Sequence, residues 1–186
     1  MSWFDVQETG LAGLRILRRK IVSDERGQFE RIYSDEELRL VGWNKVVAQS
    51  NFSKSFGKGT IRGMHYQEQP FAEMKLVTCL SGKVFDVAVD IRKGSPTFLQ
   101  WKSCELSAEN HCSLLIPEGF AHGFQCLSEE CHLVYFHSTA YEAKASRRLN
   151  PRDLALNISW PFEVTLMSES DAAAPMIDRE FSGIII

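Results

Sequence analysis

From Lys45 to Ser138 the sequence is a succession of short apolar or alternating segments, each of strand length and each followed by turn residues rather than by a helical pattern. The segments are Lys45 to Phe52, Gly59 to Tyr66, Met74 to Leu80, Lys83 to Ile91, Phe98 to Leu106, Ser113 to Ile116, Gly123 to Cys126 and His132 to Ser138. Gly and Pro punctuate them at Ser55 to Gly59, Ser81-Gly82, Lys93 to Pro96 and Pro117 to Gly119. Many short strands without connecting helices predict an all-β antiparallel sandwich or barrel, such as a jelly roll, with only a few short helices. At 186 residues the chain fits one domain, 1–186, with a sizeable core.

The N-terminal part predicts a hairpin, with Gly13 to Val22 and Phe29 to Tyr33 flanking the turn Ser23 to Gly27. Ser34-Asp35-Glu36-Glu37 has the form of a capping box and opens a short helix that ends near Leu40 to Gly42. After Tyr141 the pattern is less regular, with a short helix or turn at Pro151 to Leu154. A formal net charge of -3 gives no reason to expect nucleic acid, so an anionic ligand must be held by a local cluster of cations. The start of the chain lacks a signal-peptide pattern and no apolar run is long enough to span a bilayer, so the expected location is cytoplasmic, with no membrane partner. Cys79, Cys104, Cys112, Cys126 and Cys131 are odd in number and show no CxxC spacing, which fits reduced core thiols.

Chemistry centres on Thr60 to Gln67, where Arg62 and His65 sit three residues apart: a permanent cation and a titratable base for one pocket. Lys75 lies in the next strand and Asp86 beyond the tight Ser81-Gly82 turn, so the two are expected opposite one another as an ion pair in a cavity. Alternation puts Asp86, Ala88 and Asp90 on one face, read as lining a wet cavity, and Val87, Val89 and Ile91 on the packed face. Tyr135 adds a weak acid. A base, a fixed cation and an acid suit proton transfer beside a carbonyl, and no GxSxG, Walker or GxGxxG motif competes. Pro117 to His122 has the PxGxxH form of a metal cupin's second motif, but His65-Tyr66-Gln67 breaks the first, so no bound metal is expected. His111, His132 and His137 show no constellation and read as structural or surface residues.

Ordered motifs carry a resemblance over about Ile21 to Pro175. They are Asp24-Glu25-Arg26-Gly27, Arg62-Gly63-Met64-His65, Lys75-Leu76-Val77, Phe85 through Thr97, Leu106 through Asn110, Ile116 through Phe124, Trp160-Pro161 and Asp171-Ala172-Ala173-Ala174-Pro175. Together they resemble the dTDP-4-dehydrorhamnose 3,5-epimerase family. The resemblance implies a cupin-type jelly roll, without metal or organic cofactor, that inverts C3 and C5 of a nucleotide-linked 4-keto-6-deoxyhexose. It implies His65 as the general base oriented by Asp171, Lys75 as the enolate stabiliser and Tyr135 as the acid on the opposite face. It implies Arg62 as a diphosphate ligand, His122 in the pocket, and Gln49 and Asn51 near the nucleotide. Phe29, Asp86 and Tyr141 join the expected substrate-binding set, with Tyr141 also the alternative acid. A homodimer with strand exchange is implied too, with Arg26 reaching the partner's site.

Two stretches depart from the family pattern. Arg31 stands where a Glu is usual, and Ser146-Arg147-Arg148 replaces a Glu-x-Gly run. Both add positive charge where the resemblance places the nucleotide, which leaves the nucleoside carrier open. A C3-only epimerase on another carrier and a non-enzymatic sugar-binding cupin are the alternative readings.

Overall fold

Strands that are apolar on both faces must be covered on both faces, and the layering of the chain follows from that. The computed structural model describes residues 2–186. In chain order the elements are β1 (Phe4–Glu8), β2 (Arg15–Arg19), β3 (Ile21–Asp24), β4 (Gly27–Glu30), α1 (Asp35–Leu40), β5 (Gln49–Phe56), β6 (Ile61–Gln67), β7 (Lys75–Ser81), β8 (Lys83–Asp90), β9 (Trp101–Ser107), β10 (Cys112–Ile116), β11 (Phe120–Cys126), β12 (Glu130–His137), β13 (Ser146–Arg148) and α2 (Glu169–Ala172). Two antiparallel sheets, ordered β1-β2-β10-β7-β12-β5 and β13-β6-β11-β8-β9, face each other as a jelly-roll barrel. Strands β3 and β4 form a separate hairpin.

Between the sheets, Val77, Leu114 and Leu133 of the first meet Val84, Ala88, Leu106 and Phe124 of the second. The outer face of the second sheet (Met64, Val87, Val89) is covered by the C-terminal chain through Leu149, Leu156 and Trp160. The outer face of the first (Leu17, Leu76, Leu115) is covered by Leu38 of α1 and by Trp43. Each fully buried side chain of this size contributes roughly 1.5–3 kcal/mol of apolar transfer, so the two covers are integral to stability. All five cysteines are free thiols, and among the described residues no helix is long and apolar enough to cross a membrane.

The all-β antiparallel architecture agrees with the expectation, and several local readings need correction. The expected long hairpin is divided: β2 joins the main sheet between β1 and β10, and only β3 with β4 makes the hairpin. Ser34 is extended at the N-cap but its side chain caps nothing. Glu37 instead accepts from the Trp3 N–H at 2.5 Å and the Ser2 hydroxyl at 3.1 Å, tying the helix to the N-terminus. Strands β7 and β8 do not pair at all, because the Ser81-Gly82 turn carries the chain from one sheet to the other. Gly82 has φ +70°, and a Cβ there would lie 2.0 Å from the Glu130 carbonyl oxygen, so only glycine turns that corner. Asp86, Ala88 and Asp90 do not line water; all three are buried like the valines opposite them. Ala88 packs between the sheets, while Asp90 accepts from Arg92, Ser95 and Thr97 at the strand end. Pro151 to Leu154 forms turns.

Candidate active site

A cleft of about 490 Å³ opens between the two sheets. One wall belongs to the second sheet and presents Arg62, His65 and His122 from β6 and β11; the other belongs to the first and presents Lys75, Tyr135 and His137 from β7 and β12. On the first wall His65 Nε2 lies 2.7 Å from Asp171 Oδ1. Burial alone would raise the Asp171 carboxyl, but the hydrogen bond and charge of His65, the Gly63 N–H and the Ser168 hydroxyl outweigh it and hold the group at about 2. An ionised carboxylate can only accept, so His65 Nε2 carries the hydrogen and Nδ1 is left with the free lone pair. Helix α2 delivers Asp171, with Ser168 capping it by accepting from the Asp171 N–H at 3.1 Å.

Behind His65, the imidazole of His122 donates from Nε2 to Asp86, with the two carboxylate oxygens at 2.9 and 3.1 Å. Asp86 is 0% exposed, and its burial raises the carboxyl above the ordinary carboxylate range, with the charge and hydrogen bond of His122 and the charge of Lys75 offsetting only part of the rise. The expected Lys75–Asp86 pair is therefore absent, and Asp86 supports His122 from below instead of facing the cleft. The cause is the sheet crossing at Gly82, which sends Asp86 to the wall opposite Lys75.

On the second wall the partner of Lys75 is Glu73, at 3.1 Å, and Lys75 Nζ also donates to the His65 carbonyl at 3.4 Å. Desolvation opposes the charge on Glu73, but Lys75 and His137 together keep its carboxyl below the ordinary range. His137 Nδ1 then donates to Glu73 Oε2 at 2.8 Å, leaving Nε2 to accept from the Asn51 amide at 3.3 Å. The ammonium is thus fixed by a chain that runs through Glu73, His137 and Asn51 to Gln49, whose amide donates to Asn51 at 3.1 Å. The Tyr135 hydroxyl lies 3.0 Å from Ser53 Oγ. Burial pushes this phenol well above its ordinary value, with the Ser53 contact offsetting part of the rise, so it holds its proton.

Tyr141 is exposed beside Gln49, whose side-chain oxygen accepts its N–H at 3.0 Å, in a smaller recess with His65 and Lys75. Arg62 lines the main cleft, and its one side-chain hydrogen bond among the described residues goes to Ser55 at 3.4 Å. Arg26 and Phe29 are not brought to this site within the chain; they sit on the β3–β4 hairpin beside Trp3 and Val22. Arg31 is also elsewhere, 4.6 Å over the Trp3 ring and paired with Glu37.

The sequence does not single out Glu73 or Ser53, it reads His137 as structural or surface where the structure puts it in the cleft, and it marks Arg148 as added positive charge near the nucleotide without its contact to Asp171. Glu73 and His137 were legible in principle, since each is two positions from an expected residue on the same strand face or its approach (Lys75 and Tyr135). Ser53 lies on β5, diagonal to Tyr135 on the paired strand β12 of the same sheet, a pairing that no short-range pattern reveals. Arg148 reaches Asp171 through the three-residue β13, too short to register as a strand. Among the described residues no group of three or more His, Cys, Asp or Glu side chains has the arrangement of a metal site.

The family model for dTDP-4-dehydrorhamnose 3,5-epimerase matches residues 8–179. A dTDP-4-dehydrorhamnose 3,5-epimerase of Shigella flexneri is 45% identical over 168 residues, covering 90% of this chain and 92% of its own. The crystal structure of dTDP-6-deoxy-D-glucose-3,5-epimerase from Legionella pneumophila Philadelphia 1, in complex with dTDP-4-keto-L-rhamnose, superposes with a TM-score of 0.91 at 40% identity, covering 98% of this chain and 99% of that one. That of the Bacillus anthracis dTDP-4-dehydrorhamnose 3,5-epimerase, with TDP and PPi bound, gives 0.90 at 37% identity, covering 94% and 99%. With its motifs in order, its cleft built between two jelly-roll sheets and its match over nearly the whole length of these relatives, the chain belongs to the dTDP-4-dehydrorhamnose 3,5-epimerase family.

Proposed function

We propose that the chain inverts C3 and C5 of a nucleotide-linked 4-keto-6-deoxyhexose, of the dTDP-4-dehydro-6-deoxyglucose to dTDP-4-dehydrorhamnose type, through an enolate. The observation that carries this reading is the His65–Asp171 pair at 2.7 Å on one wall of a cleft whose other wall holds Tyr135 and Lys75. A proton alpha to a ketone can be removed when the enolate oxygen left behind is stabilised. His65 Nδ1 takes the proton, and Asp171 stabilises the imidazolium that forms. Lys75, positioned by Glu73 at 3.1 Å, faces the developing enolate oxygen, a contribution typically worth about 3–4 kcal/mol. Tyr135 returns a proton from the opposite wall, which is what inverts the carbon. The C4 ketone is itself the electron sink, so the reaction calls for no redox or organic cofactor.

The active unit is a homodimer. In one chain Arg26 is 89% exposed and among the described residues meets no carboxylate but Asp24, and the β3–β4 hairpin that carries it and Phe29 joins neither main sheet by strand pairing, being tied to the first through Glu30 and Arg19 at 2.7 Å and through His111. Such a hairpin is suited to reach a partner's cleft and supply a cation there. Arg62, Gln49 and Asn51 serve the nucleotide end from the chain's own side.

Incubation with dTDP-4-dehydro-6-deoxyglucose in deuterated water tests the reading by NMR. Deuterium should enter at both C3 and C5. Exchange at C3 alone makes the chain a C3 epimerase, and exchange at neither removes the enzymatic reading.

A further inference from the structure

Strand β13 sets Arg148 opposite His65 and Arg147 opposite Tyr66. Alternation along the strand sends the two guanidiniums to opposite faces. Arg147 is fully engaged, paired with Glu68 at 2.8 Å and donating to the Lys144 and Ser146 carbonyls at 2.7 and 3.0 Å. Arg148 is not. Its Nε donates to Asp171 Oδ1 at 3.1 Å, its side chain is 40% exposed, and its two terminal nitrogens donate to no protein group among the described residues.

Arg148 lines a second cleft of about 550 Å³ that shares His65 and Arg62 with the first, and also the smaller recess that holds Gln49, Lys75 and Tyr141. Lys54 lines the second cleft too, with the hydroxyl side chains Ser168 and Ser170 at its rim. Asp171 is the one carboxylate in that lining, and it is already occupied by His65 and Arg148. Beside the apolar Phe56, Ile61, Leu166 and Met167, the polar part of the lining is made of hydroxyls and cations, and with Lys54 paired to Glu130 at 2.7 Å the guanidiniums of Arg62 and Arg148 are the cations left to meet an anion with several oxygens.

We propose that Arg148 is a specificity-determining residue that binds the substrate's diphosphate together with Arg62 while holding Asp171 in line with His65. The proposal rests on the epimerase reading above and adds a residue to it. A guanidinium suits both tasks at once, since its planar fork offers one edge to the carboxylate and the other to phosphate oxygens, which an ammonium cannot do. A bound diphosphate then rests on the same group that holds Asp171, which ties recognition of the nucleotide end to the carboxylate behind the base.

The test uses the full chain and three variants, Arg148→Ala, Arg148→Lys and Arg147→Ala, with thymidine diphosphate as the probe in calorimetric titration and kcat and KM measured on the 4-keto sugar nucleotide. Arg148→Ala should weaken thymidine diphosphate binding and raise KM by about tenfold or more, as for loss of a charge-assisted hydrogen bond, and should lower kcat as well. Arg148→Lys should recover most of the thymidine diphosphate affinity without recovering kcat, and Arg147→Ala should match the unmodified chain. Melting curves check each variant, with Arg148→Gln as the substitute if the alanine form does not fold. Unchanged thymidine diphosphate affinity and KM in a folded Arg148→Ala chain with reduced kcat would overturn the proposal, leaving Arg148 an orienting residue only. Failure of the epimerase reading has a different signature: the unmodified chain would exchange no deuterium into the sugar, whatever Arg148 does to thymidine diphosphate binding.

Discussion

Arg62 and His65 project from one strand into one cleft although they are three residues apart. In a regular strand that spacing places side chains on opposite faces. Strand β6 accommodates it with an irregularity: His65 pairs with His122 and Arg62 with Phe124, three steps on β6 against two on β11. The extra residue leaves Met64 in the outer cluster with Val87 and returns His65 to the cleft beside Arg62. The bulge is possible because Gly63 meets Gly123 of β11 backbone to backbone.

Substitution at that contact should therefore disturb both fold and site. Gly63 has φ +125°, and a Cβ on it would lie 2.5 Å from Gly123 Cα and 2.7 Å from the His122 carbonyl oxygen. Neither neighbour is a flexible side-chain end that can swing away. Gly63→Ala is expected to cost about 2–4 kcal/mol, adding overpacking to a strained backbone, and to lower kcat by displacing His65. Urea denaturation together with steady-state kinetics checks both effects; a variant of normal stability and activity would show that the strand tolerates a side chain here.

The same bulge marks where sequence reasoning reached and where it stopped. The strand series and the antiparallel class were legible because period-2 patterning is a local signal, whereas the gathering of Arg62, His65, Lys75 and Tyr135 in one pocket came from residue chemistry together with the family resemblance, since strict alternation would have parted Arg62 from His65. Partners were not legible. Lys75 was assigned to Asp86 by assuming that a tight Ser-Gly turn joins paired strands, whereas here it joins two sheets, and that sends Asp86 to His122 and leaves Lys75 to Glu73. Burial of Asp86 and Asp90 was equally hidden, since their face turns inward against the other sheet, where Asp86 meets His122 and Asp90 meets Arg92, Ser95 and Thr97. Arg148 needed the pairing of a three-residue strand, information that exists only in the folded chain.

Asp171 should matter for catalysis and for acid stability separately. Asp171→Asn keeps the shape but can offer an amide hydrogen to His65, which reverses the imidazole's hydrogen-bonding direction, and kcat should fall by about 10²–10⁴. For stability, a carboxyl ordinarily near 3.8 that sits at about 2 in the folded chain favours folding above the higher value and loses that contribution as pH falls through the lower. The contribution is on the order of 2 kcal/mol. The urea-midpoint gap between the unmodified chain and Asp171→Asn should accordingly narrow between pH 5 and pH 2. A gap that stays constant over that range contradicts the assignment.

Lys75→Met keeps the buried stem of the side chain and removes the charge. If Lys75 faces the enolate oxygen, kcat should drop by about 10²–10³ with KM little changed, because the lost interaction forms only in the transition state. The Glu73 carboxylate retains His137 at 2.8 Å, so the chain should still fold. Comparing Lys75→Met with Glu73→Gln separates the roles: the first removes the cation and the second only its anchor, so Glu73→Gln should be the milder of the two in kcat. The reverse order would make Glu73 the group that acts on substrate.

Arg26 offers a test of the dimer that is independent of any interface measurement. Among the described residues it pairs only with Asp24, two residues away and exposed, so Arg26→Ala should leave stability within about 0.5 kcal/mol. Its effect on KM should nevertheless be large if the hairpin serves a neighbouring cleft. Mixing Arg26→Ala chains with His65→Ala chains then gives a decisive outcome. In a mixed dimer one cleft has an intact His65 and receives an intact Arg26 from the partner, while the other lacks both. Activity should therefore reappear on mixing two preparations that are each impaired. If Arg26 instead served its own chain, every cleft in the mixture would still carry a defect, and mixing would restore nothing.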